Sequence, residues 1–116
     1  MNDTLKQLSQ TLLQRKNADP ETSYVAQLHQ AGADKILEKV GEEAIEAILA
    51  AKGLQQAGDQ ANQVAEKAAL IGETADLWFH TLVMLQHFDC NAQDVLDELA
   101  SRMGISGIEE KAQRGK

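Results

Sequence analysis

Three observations predict an all-α fold, a bundle of about five helices. The chain has 116 residues, enough for one domain with a modest core. Ala, Leu, Gln and Glu dominate, and only 3% of residues are aromatic, so strand formers are scarce. Pro20 is the single proline, so little interrupts a helical backbone. Residues 1–116 read as one domain, with no internal repeat and no low-complexity tract.

The first helix is expected from about Thr4 to Lys16, where Leu5, Leu8, Leu12 and Leu13 form a narrow apolar stripe. Asn17-Ala18-Asp19-Pro20 ends it, because proline disfavours helix in the residue before it. The second helix is short, about Ser23 to Ala31. Ser23 or Thr22 suits its N-cap, and Gly32 suits its C-terminal stop. Asp34 then caps a third helix from Lys35 to about Lys52.

Gly53 to Asn62 is polar and contains glycine, so it reads as a loop or as frayed helix ends. The fourth helix is long, from about Gln63 to Phe88. Asn91 caps the fifth, about Ala92 to Met103, with Asp94 at the reciprocal capping position. Ser106-Gly107-Ile108-Glu109 resembles another capping box and starts a short tail helix, fraying at Gln113 to Lys116.

The formal net charge is −7, which argues against nucleic-acid and acidic-membrane binding, since both need basic surfaces. A small phosphorylated ligand remains compatible if cations bridge the repulsion. Cys90 is the only cysteine, so no internal disulfide forms and a reducing cytoplasm fits. The start, MNDTLKQLSQ, lacks the basic run and apolar stretch of a signal peptide. No segment reaches the ~18 uninterrupted apolar residues of a membrane span.

Two acidic patterns carry the chemistry: Glu42-Glu43-Ala44-Ile45-Glu46 and Glu73-Thr74-Ala75-Asp76. Each sets carboxylates on one helix face at i,i+3 or i,i+4 spacing. Helices wind at ~100° per residue. On the third helix, Ile36, Val40, Ala44, Ala47, Ile48 and Ala51 then form the main apolar stripe. Glu43 falls at its edge, with Glu46 and Lys39 one turn away on either side. Glu42 lies further round.

On the fourth helix, Val64, Ala68, Ile71, Ala75, Trp78, Leu82 and Leu85 make one stripe. Glu73, Asp76, His80 and His87 fall on the opposite side, flanked by Leu70, Leu77, Val83 and Met84. A helix apolar nearly all round is expected to be buried on all sides. In a chain this short, that takes a second subunit, so at least a homodimer is expected. Trp78, Phe79, Phe88, Met84 and Met103 stand at core-like spacing and read as packing.

Carboxylates on paired helices are most often plain solvated surface. Here the apolar flanks of Glu73 and Asp76 fit that poorly, because clustered buried charge is unfavourable without a cation between. Two facing clusters can offer about four oxygens to a hard divalent cation, Mg²⁺ or alternatively Mn²⁺, with positions left for water and phosphate. The absence of thiolates in the pattern disfavours structural zinc. The Glu-x-x-His motif of di-iron bundles is missing: Glu46 and Asp76 stand three residues after Glu43 and Glu73. His80 can join the site, support it, or simply pack.

Glu-Glu-x-x-Glu, a connector, then Glu-x-x-Asp resembles the all-α nucleoside-triphosphate pyrophosphohydrolases. Ser23-Tyr24, Gly32, KILEKVGEEAIEAILAAK (Lys35 to Lys52) and ETADLWFHTLVML (Glu73 to Leu85) narrow this. With Val95 through Leu99 to Arg102 and the ending SGIEEKAQR, nearly the whole chain resembles the phosphoribosyl-ATP pyrophosphatase family. The segment Leu54 to Ala69 is longer and richer in glutamine than that pattern.

The resemblance implies hydrolysis of phosphoribosyl-ATP to phosphoribosyl-AMP and pyrophosphate, the second step of histidine biosynthesis. It implies Glu43, Glu46, Glu73 and Asp76 as Mg²⁺ ligands. Glu42 would orient water, bind a second metal or be surface. Lys39 would contact phosphate or pair with Glu43. Lys35 and Arg15 are further phosphate candidates. Arg102 would bind substrate or stabilise a helix C-terminus. Ser23, Tyr24 and His80 would contact substrate, against the plainer reading that Ser23 caps and Tyr24 packs. Two alternatives stay open: a house-cleaning hydrolase of ordinary or damaged nucleotides, and a non-catalytic helical dimerisation module.

Overall fold

The computed structural model describes residues 3–103. It has five helices: α1 (Thr4–Arg15), α2 (Tyr24–Ala31), α3 (Ala33–Gln55), α4 (Gln60–His87) and α5 (Ala92–Arg102). No strand occurs among the described residues. The expected tail helix from Ser106 lies outside them.

Local chemistry accounts for most boundaries. The Ser23 hydroxyl accepts from the Ala26 N–H and caps α2. Asn91 and Asp94 form the expected reciprocal capping box at α5. Gly32, at φ 99°, turns the chain between α2 and α3 in a region that side chains rarely adopt. Asp34 does not cap α3. Helix begins two residues earlier than expected, at Ala33, and Asp34 sits in the first turn, where a carboxylate still favours the helix dipole.

The largest departure from expectation is at residues 53–62. Both long helices run into this segment, and only 56–59 remain as the turn. Alanine and glutamine are good helix formers, so polarity there does not mean loop. Asp59, whose carboxylate accepts from the Asn62 N–H, supplies the α4 start.

α3 and α4 form an antiparallel hairpin, the most extensive packing in the chain. The core sits at one end of it. Leu12 of α1, Val25 and Leu28 of α2, Ile36 of α3, Leu82 and Val83 of α4 and Ala92 of α5 are buried together. Leu5, Leu8, Phe79, Met84 and Leu85 pack against them.

Among the described residues, no third helix covers the tip half of the hairpin. Ile48 is 62% exposed and Ile71 70%; Ile45, Leu49 and Val64 are exposed beside them, and nearer the core end of α4 Trp78 is 58% exposed. The expected stripes are therefore only partly covered within one chain. Leu13, Phe88 and Met103 are exposed too, against the core reading given to Trp78, Phe88 and Met103. The Cα radius of gyration is 17.2 Å. A compact chain of this length has about 13 Å, so the hairpin projects well beyond the core.

Candidate functional site

The two acidic patterns meet where α3 crosses α4. Glu43, Glu73 and Asp76 each offer a carboxylate oxygen to one small volume, the three atoms lying within 4.8 Å of one another. Glu46 interacts with both Glu43 and Glu73 through its carboxylate. The four residues therefore form one constellation, with Glu46 and Asp76 at its exposed mouth. Glu43 is its floor, 7% exposed.

Electrostatics mark the cluster as unneutralised. Burial, followed by the Glu46 carboxylate, holds the Glu43 carboxyl above the usual carboxylate range. The same two causes, with Asp76 and Glu43 behind them, raise Glu73. One oxygen of Glu43 and one of Glu73 are buried with no hydrogen-bond partner. Orphaned buried carboxylate oxygens are unfavourable and need a cation or donor to satisfy them. An all-oxygen donor set suits a hard divalent cation such as Mg²⁺ or Mn²⁺. The residues fit that group.

Lys39 and Glu42 flank the cluster. The Lys39 ammonium is 3.2 Å from Glu42 and 3.7 Å from Glu43. Its hydrogen bond to Glu42 raises the lysine and lowers the glutamate. Glu42 is exposed and turned toward Lys39. Lys35 pairs with Glu38 on the outer face of α3, at 3.7 Å.

His80, four residues beyond Asp76, is buried. Its Nδ1 lies 2.8 Å from the Asp76 carbonyl oxygen, which can only accept, so Nδ1 carries the proton. In the neutral ring Nε2 then accepts from the Tyr24 hydroxyl at 2.9 Å. Both ring nitrogens are thus engaged, and His80 supports the site from behind. Tyr24, half exposed, also stacks on Phe79 at 6.2 Å. The contact joins residues 56 apart in sequence, so no local pattern announces it. Ser23 is buried and committed to its cap. Arg15 closes α1, and Arg102 closes α5 with its guanidinium 3.1 Å from Glu98.

A hairpin of two long helices with paired carboxylates facing across it defines an all-α domain with an acidic seam. The family described as phosphoribosyl-ATP pyrophosphohydrolase matches residues 5–103. Relatives named "Phosphoribosyl-ATP pyrophosphatase" agree with that match. Those of Burkholderia vietnamiensis and Burkholderia multivorans are each 53% identical over 112 residues. That of Burkholderia cenocepacia is 52% identical. Each alignment covers 97% of this chain and 87% of the relative. The chain belongs to the phosphoribosyl-ATP pyrophosphohydrolase family, and the resemblance carried by its motifs holds.

Proposed function

We propose that this chain hydrolyses phosphoribosyl-ATP to phosphoribosyl-AMP and pyrophosphate, the second step of histidine biosynthesis, with Mg²⁺ as cofactor. The observation that supports this is the convergence of Glu43, Glu73 and Asp76 around two orphaned oxygens, in a member of this family. In the reaction water adds to the α-phosphorus, the bond from that phosphorus to the oxygen bridging it to the β-phosphorus breaks, and pyrophosphate leaves.

Glu43, Glu46, Glu73 and Asp76 would hold Mg²⁺, with Mn²⁺ able to substitute. The ion supplies charge neutralisation for the phosphates and acidifies bound water. Glu42 orients the attacking water in this reading. Lys39, already shared between Glu42 and Glu43, neutralises phosphate charge at the flank. Tyr24 is held by His80 at the same end of α4 and offers its ring and hydroxyl to substrate. Lys35, Arg15 and Arg102 are the remaining cations for phosphate, and Ser23 acts by fixing the start of α2.

The exposed apolar strip on α3 and α4 supports a homodimer or larger assembly that covers it. A cytoplasmic setting belongs to the same reading; no helix among the described residues is long and apolar enough to cross a membrane.

The test is direct. Purified protein is given phosphoribosyl-ATP or a panel of deoxynucleoside triphosphates, with Mg²⁺ or with chelator, and pyrophosphate is measured. Release from phosphoribosyl-ATP alone, lost in chelator, is expected. Preference for the deoxynucleotides favours a house-cleaning hydrolase instead. A Glu46→Gln protein with full Mg²⁺-dependent activity overturns the ligand assignment.

A further inference from the structure

Away from the acidic seam, a second pair of titratable groups bridges two helices. His29 of α2 and His87 of α4 approach with their Nδ1 atoms 3.0 Å apart. Their rings are nearly parallel, at 23°, with centroids 5.2 Å apart. The centroids are farther apart than the nitrogens by about one ring's width, so the two Nδ1 atoms point at each other nearly head-on. That is the geometry of an N–H···N hydrogen bond. It does not suit a transition metal. Two nitrogens at about 2.0–2.1 Å from one ion need lone pairs that converge beside the line joining them.

Only one of the facing nitrogens can carry a proton. The donor ring is the Nδ1–H tautomer, and the acceptor ring keeps its hydrogen on Nε2. A first added proton goes to the donor's Nε2 and strengthens the bond by charging the donor. A second must go to the acceptor's Nδ1, which sets two N–H groups against each other. The pair therefore tolerates one positive charge.

The surroundings say which ring is which. His29 Nε2 is sealed from water and has no partner, so a charge on that ring would be stranded. Burial, then His87, then Lys16, all hold His29 below the ordinary histidine value. The charged group facing the pair from α1 is Lys16. Its ammonium donates to the Gln86 carbonyl at 2.8 Å and reaches the exposed Asp89 at 3.7 Å. The polar cavity beside the rings, about 380 Å³, is otherwise lined by uncharged residues, among them Asn17, Pro20 and Gln30.

We propose that His29 and His87 form a one-proton latch between α2 and α4, donated by His87 and accepted by His29, which opens when both rings become charged. α2 has eight residues, too few to hold its shape unaided. The latch secures its C-terminal end to α4, which meets the start of α2 through Tyr24 against His80 and Phe79. The sign follows from the depressed histidine. A neutral His29 stabilises the fold above the unfolded value of 6.5, and that contribution fades as the pH falls below it.

Long-range ¹H–¹⁵N spectra of the intact labelled protein between pH 8 and pH 5 test this without any catalytic assay. At pH 8 the rings should be opposite tautomers, with Nδ1 protonated on His87 alone. His29 should stay neutral below the ordinary histidine value. Protection of the α2 amides, corrected for intrinsic exchange, should fall once His29 is charged. In His87→Phe that pH dependence should vanish. Two Nε2–H tautomers at pH 8, or two rings titrating together, would overturn the latch. So would unchanged pH dependence in His87→Phe; if that variant does not fold, the wild-type spectra decide alone.

Discussion

Replacing Glu43 by glutamine should move stability and cation binding in opposite directions. The substitution keeps the shape of a side chain that is 7% exposed and removes its charge from the seam. The carboxylate oxygens lie within 4.8 Å of one another, and unit charges at about that spacing repel by about 3 kcal/mol at the effective dielectric of a protein surface. The mouth at Glu46 and Asp76 is open to water, which screens much of this. Losing the 3.7 Å contact with the solvent-screened Lys39 ammonium offsets part of that gain. The net expectation is a Glu43→Gln protein about 1 kcal/mol more stable than wild type without divalent cation, or about 3–8 °C in melting temperature. Mg²⁺ at 100 times its dissociation constant adds about 2.7 kcal/mol to wild type by mass action. The variant should gain almost none of it. Melting curves of both proteins in chelator and across a Mg²⁺ series read this directly, and the order should reverse as Mg²⁺ rises. Equal stabilisation of the two proteins by Mg²⁺ would refute the reasoning. So would a variant less stable than wild type in chelator.

Three further outcomes follow from the same contacts. Because Glu43 and Glu73 are raised, each stabilises the cation-free fold below its unfolded value of 4.5, and that contribution is lost as pH climbs through the folded value. Calorimetric Mg²⁺ affinity should therefore weaken on acidification, starting above the usual carboxylate range. Tyr24→Phe leaves the buried His80 Nε2 without its donor and should cost about 1–2 kcal/mol in chemical denaturation, unless water replaces the hydroxyl. Gly53→Ala should gain about 0.5–1 kcal/mol in the same measurement. The new Cβ meets only the flexible end of Glu66, at 2.8 Å, while an interior helical glycine is removed.

The seam was legible because its logic is local. Carboxylates at i,i+3 on a helix share a face whatever surrounds them, so Glu43 with Glu46 and Glu73 with Asp76 could be paired before any contact was known. The caps at Ser23 and Asn91 were legible for the same reason. The α3–α4 boundary was not. Gly53 to Asn62 lacks apolar rhythm, and propensity rather than periodicity extends both helices into it. Nor could spacing reveal that Tyr24 donates to His80, or that His29 meets His87, since neither pair shares an element. Ile48 and Ile71 were read as apolar faces and Trp78 as packing, yet all three stand exposed because nothing among the described residues covers them.

The turn at residues 56–59 divides the acids evenly: Glu43 and Glu46 lie before it, Glu73 and Asp76 after. Glu43 stands about 18 Å down α3 from that turn, counting 1.5 Å per residue. Gly58 is exposed, with open space where a side chain would project. The chain therefore carries a natural division point remote from its chemistry. Severed there, each fragment would own half of the acidic constellation, and a divalent cation held by both halves, as proposed above, would become the agent that rejoins them.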